Sequence, residues 1–114
     1  MQLKDYVINA CSVAASASST ATTGSVYLGR PWTEYARVIF QSTSLGSIIA
    51  SAGWEEWSSS DARTDDVTFE EYNNSGTGAS GTRATFASTA DSAVTIETLL
   101  GSDYADWVDT SYLA

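Results

Sequence analysis

Short runs of β-branched and aromatic residues recur along the chain, parted by Ser, Thr, Gly and Asn, and no Asn-Gly or Asp-Gly dipeptide joins any two of them. Runs of this kind predict the strands of an all-β domain. Asn-Gly and Asp-Gly are favoured in two-residue hairpins because both central positions need positive φ. Their absence favours parallel coils over an antiparallel meander. The expected strands are Tyr6–Val13, Val26–Leu28, Ala36–Gln41, Ser47–Ala50, Val67–Tyr72 and Arg83–Phe86. Between them, "AASASSTATTGS" (Ala14 to Ser25) reads as a low-complexity loop, and "NNSGTGASG" (Asn73 to Gly81) as a second loop. The end of the chain differs: "TIETLLG" predicts a short helix with Thr95 as N-cap and Gly101 just past the C-cap. A tail over residues 95–114 would then cover the open end of stacked coils.

Charge narrows the range of partners. The chain carries 14 acidic against 5 basic side chains, a formal net charge of −9. Phosphate recognition needs clustered Lys and Arg, so nucleic acid is not an expected partner, and anionic membrane surfaces are disfavoured for the same reason. No apolar run approaches the roughly 20 residues that span a bilayer. The N-terminal stretch ends in an Ala15-Ser16-Ala17 that mimics a leader cleavage site. Yet Asp5 offsets Lys4, Asn9 interrupts the apolar centre, and the alternation is that of a strand.

Several motifs are weaker than they look. "GTGASG" (Gly76 to Gly81) matches the dinucleotide fingerprint letter for letter, but a strand pattern follows it where a helix must open, so it reads as a turn. "DARTDDVTFEEY" gathers acidic residues without calcium-loop spacing and reads as solvated charge, with Asp61 and Arg63 paired across a turn. In "GWEEW", Trp54 and Trp57 lie three apart, as on one side of a helical turn, and read as core packing before a sugar platform. Asn73-Asn74-Ser75 is a glycosylation sequon. The single cysteine, Cys11, shares an alternating face with Val7, Asn9 and Val13 and is expected to be a buried small hydrophobe. No metal or other cofactor is expected.

The chain has no histidine, so a serine nucleophile would lack its usual base. "VYLGRPWTEYARVIF" (Val26 to Phe40) then stands out, because Gly29-Arg30-Pro31-Trp32 interrupts strand-like sequence. Arg30 offers a planar fork able to grip a carboxylate with two hydrogen bonds. Trp32 offers a flat apolar face of the kind that stacks on a sugar ring. Pro31 fixes φ between them and holds Arg30 extended. The residues alone leave two readings open: a ligand-facing pair, or a structural salt bridge beside a packed indole.

"YLGRPWTEYARVIF" resembles the signature of the pectin methylesterases, and "SAGWEEW", "DDVTFEEYNNSGTGA" and "GSDYADWVDTSYL" resemble the segments that follow it in fungal members. The resemblance runs from about Asp5 to Leu113. It implies a right-handed parallel β-helix, partial here, with a short helical C-terminal tail, and residues 1–114 forming the C-terminal part of one such domain. It also implies an extracellular carboxylic ester hydrolase acting on pectin. The family uses one aspartate as nucleophile and one as general acid, with glutamines stabilising the oxyanion. On that pattern Arg30 is the arginine that holds the nucleophilic aspartate, and Trp32 lies under the substrate. The family's aspartates precede LGRPW, whereas here only Gln2 and Asp5 offer such side chains upstream, neither in the family's motif. The expectation is therefore a fragment bearing the arginine and tryptophan half of a site, inactive alone and prone to self-association through an exposed N-terminal coil. The alternative is a non-catalytic polysaccharide-binding solenoid, or a structural remnant that binds nothing.

Overall fold

The computed structural model describes residues 5–113. Gln2, weighed above as an upstream glutamine, lies outside them. The chain is a right-handed parallel β-helix whose coils stack strand upon strand. One sheet is ordered β1-β3-β5-β6, with β1 Tyr6–Asn9, β3 Arg37–Gln41, β5 Thr68–Tyr72 and β6 Ala87–Thr89, every neighbouring pair parallel. In register, Tyr6 stands beside Val38, Val38 beside Phe69, and Phe69 beside Ala87. A second, narrower sheet pairs β2 Ser12–Val13 with β4 Ser44–Leu45, and Ser75 extends it by an isolated bridge to Ser44. A third face is held by isolated bridges, Val26 to Ile49 and Gly29 to Trp54. The absence of hairpin turns pointed to this parallel stacking, and the parallel register bears it out.

The expected strand Tyr6–Val13 is in fact two strands with a corner between them. Ala10 sits at φ 53, in the left-handed region, and bends the chain from the first sheet into the second. Ser42 (φ 48) and Asn73 (φ 52) occupy the same place on the next two coils. The amide of Ala10 donates to Gln41 O at 3.2 Å and that of Ser42 to Tyr72 O at 2.9 Å, so each corner is bonded to the coil above it. This bend breaks the alternation that would have buried Cys11. The thiol is exposed, donating to Asn9 O at 3.1 Å, and the expectation of a buried cysteine is corrected.

Three other expected strands shift. Val26–Leu28 and Ser47–Ala50 carry single bridges and no continuous ladder. Arg83–Phe86 gives way to β6, because Ala84 N bonds Ala52 O on the third face and Ala87 N turns back to Ala84 O. The core between the sheets is small: Phe40, Leu45, Ile49, Trp54 and Phe69, with Ile8, Val13, Val38 and Phe86 at its margin. Trp54 stacks on Phe69 with ring centroids 4.4 Å apart and meets Phe40 edge-on at 5.8 Å. Gly76 and Gly78 lie where the second loop passes over β4, and a Cβ on either would strike the carbonyl oxygen of Leu45 or Gly46. The glycines of "GTGASG" serve close coil contact, around the short 3₁₀ turn Thr77–Ala79.

The tail begins as predicted. Helix α1, Ile96–Leu100, is capped by Thr95, whose side chain accepts from Thr98 N, and ends at Gly101 with φ 97. It lies against the outward face of β1 and β3, leaving a cavity of about 310 Å³ lined by Val7, Gln41, Ile96, Leu99 and Leu113 among others. The buried Gln41 amide fastens it there: Oε1 accepts from Val94 N at 2.9 Å, while Nε2 donates to Val94 O and to Asn9 Oδ1, each at 3.0 Å. Among the described residues no helix is long and apolar enough to cross a membrane, and no cluster of His, Cys, Asp or Glu is placed to hold a metal ion.

Candidate functional site

Leu28 N donates to Gly53 O at 2.7 Å and Glu55 N to Gly29 O at 3.1 Å, which pins the start of the LGRPW segment to the following coil. Pro31 is fully buried beneath it. A buried, ring-locked residue between two exposed ones leaves its neighbours little freedom of direction. Arg30 and Trp32 consequently project from the surface, Trp32 with 74% of its area exposed. The reading in which Arg30 forms a structural salt bridge and Trp32 packs inside does not describe this surface.

Arg37 pairs with Asp5, Arg63 with Asp61 and Arg83 with Glu71, whereas Arg30 meets no carboxylate among the described residues. Its guanidinium instead lies 4.5 Å from the ring centroid of Trp57, and Nη1 donates to Trp57 O at 3.3 Å. A cation on an exposed indole face is worth about 0.5–1 kcal/mol, enough to orient a side chain and too little to saturate its donors. Trp57 also meets Trp32 edge-on, with centroids 5.2 Å apart and planes at 77°. So the two tryptophans of "GWEEW" part company. Trp54 is core, as expected, but Trp57 joins the surface cluster, because the segment is extended and not a helical turn.

Arg63 completes the cluster and was not legible as a site residue, since its sequence neighbourhood shows only the pair with Asp61. That pair is present, Nε to Oδ2 at 2.9 Å. In addition Arg63 Nη1 donates to Trp32 O, and its guanidinium stacks 4.7 Å from the Trp57 centroid. Asp61, Asp65 and Asp66 are otherwise exposed, as solvated charges should be. The site thus presents one cation with unspent donors beside a flat apolar ring. It can bind an anionic group and stack on a planar or ring-shaped one. Among the described residues it holds no nucleophile or acid against Arg30.

The family model described as Pectinesterase matches residues 2–99. A pectinesterase of Aspergillus aculeatus is 56% identical over 107 residues, an alignment covering 94% of this chain and 32% of that protein. A pectinesterase of Aspergillus niger is 54% identical over 108 residues, covering 95% and 33%. Among solved structures, the deglycosylated pectin methylesterase from Aspergillus niger superposes with a TM-score of 0.82 at 37% identity, covering 95% of this chain and 34% of that one. Pectin methylesterase from carrot does so with a TM-score of 0.63 at 29% identity, covering 77% and 29%. The chain spans about a third of the length of the curated relatives it matches.

Proposed function

The chain belongs to the pectinesterase family, and from that premise we propose that its Arg30–Trp32 surface serves the hydrolysis of methyl esters in pectin. Arg30 would hold a carboxylate nucleophile ionised and aimed, since a neighbouring cation favours the charged form. Trp32 would stack on a sugar ring of the polymer. One observation carries the reading: Arg30 has donors to spare and no carboxylate partner among the described residues, while the indole two residues on faces solvent. Secretion accords with a polymeric cell-wall substrate.

The 114-residue chain by itself is expected to release no methanol from methyl-esterified pectin. Mixing it with the upstream aspartate-bearing segment of a fungal relative is expected to restore release, and Arg30→Ala to abolish it again. Methanol released by the chain alone and unaffected by Arg30→Ala would overturn the assignment. The unoccupied guanidinium also favours a second reading, a pectin-binding solenoid without catalysis. That reading predicts affinity lost in Trp32→Ala and no methanol even after the upstream segment is supplied.

A further inference from the structure

We infer that Arg63 is the positioning residue of the Arg30–Trp32 surface. What that surface binds rests on the reading just given; the geometric role does not. Arg63 lies on the coil after Trp32, at the end of the turn closed by the Ser58–Asp61 bridge. Its Nη1 donates to the carbonyl oxygen of Trp32. That bond fixes the peptide plane following the exposed indole. Its guanidinium also stacks on Trp57, the ring that carries Arg30 and meets Trp32 edge-on. One side chain therefore sets both the anchor of the tryptophan and the plate on which the arginine rests.

Charge shows that Arg63 is a brace and not a second anion site. Asp61 sits 2.9 Å from Nε and offsets the charge locally, and the Trp32 carbonyl takes up a further donor. Two guanidinium groups on one ring would otherwise repel each other. With Asp61 present, Arg30 remains the uncompensated cation of the cluster.

The backbone supplies a clean test. Arg63 stands at φ 58, a conformation that costs a non-glycine residue energy and a glycine almost none. Arg63→Gly removes the guanidinium while relaxing the main chain, so its melting temperature should equal or exceed that of the parent. The edge-to-face Trp32–Trp57 pair should give an exciton couplet in far-ultraviolet circular dichroism, and Trp57→Phe identifies it. Arg63→Gly is expected to lose at least half of that couplet, and Arg63→Lys to restore none of it, because an ammonium cannot both stack and donate to Trp32. Affinity for methyl-esterified oligogalacturonide should fall about tenfold in both variants. A couplet unchanged in Arg63→Gly overturns the inference. If the parent chain binds no oligogalacturonide, the functional reading fails separately, and the couplet still decides the role of Arg63.

Discussion

Glu71 accepts from Trp54 Nε1 at 3.2 Å and from Arg83 Nε and Nη2 at 2.8 and 2.9 Å. The arginine also donates to Gly78 O at 2.7 Å and Ser51 O at 3.0 Å. Both charged side chains are largely enclosed, 18% and 13% exposed. Breaking such a pair from one side leaves an uncompensated charge and an unbonded indole N–H, a cost of about 2 kcal/mol after allowance for residual exposure. Glu71→Ala should therefore lower the urea midpoint clearly and Glu71→Gln less, since the amide still accepts. Equal midpoints for Glu71→Ala and the parent would show that the network carries no stability. The sequence marked Glu71 as one solvated acid among several and Arg83 as the start of a strand. Nothing local distinguishes an acid whose partners lie 12 and 17 residues away. Arg30 and Trp32 were legible because the proline between them leaves a local mark. Trp57 and Arg63 were not, because their roles arise only when coils stack.

The elements were legible where a hydrogen bond or a period is local. Thr95 and Gly101 delimit α1 as the capping pattern predicts, and β3 and β5 fall within a residue of the expected spans. The strand Tyr6–Val13 was misjudged because alternation cannot register a left-handed corner at an alanine. The last turn, Thr110–Tyr112, depends on Asp109, whose Oδ1 accepts from Ser111 Oγ at 2.6 Å and from Ser111 N at 3.0 Å. Those bonds, the hydroxyl's first and the amide's second, hold the carboxyl below its ordinary value of 3.8. A depressed carboxyl stabilises the folded turn above its unfolded pKa and loses that effect as pH falls through the folded one. The Ser111 amide resonance should thus be constant from neutrality to about pH 4 and move only in stronger acid. Asp109→Asn should remove that movement. A Ser111 shift centred well above pH 4 would contradict the assignment.

At the scale of the molecule, β1 forms one edge of the main sheet, and its Tyr6 is 63% exposed. An uncovered edge of this kind is a template for another strand. The hydrophobic core is thin, and each coil contacts only its neighbours, so added pairing at the edge should stabilise the whole. We expect the chain to self-associate with rising concentration through β1. The −9 charge opposes this, so association should strengthen with salt as repulsion is screened. Sedimentation equilibrium would test it: Tyr6→Lys should hold the mass at that of a monomer, and a parent chain monomeric at all concentrations and salt levels would refute it.

Ala10, Ser42 and Asn73 index the windings as detents index a dial. A residue inserted into Ala14–Ser25 would be absorbed before the next stop, leaving every inward side chain inward. The same insertion between a strand and its stop would turn that winding inside out. Length in such a molecule is free to drift only between its fixed clicks.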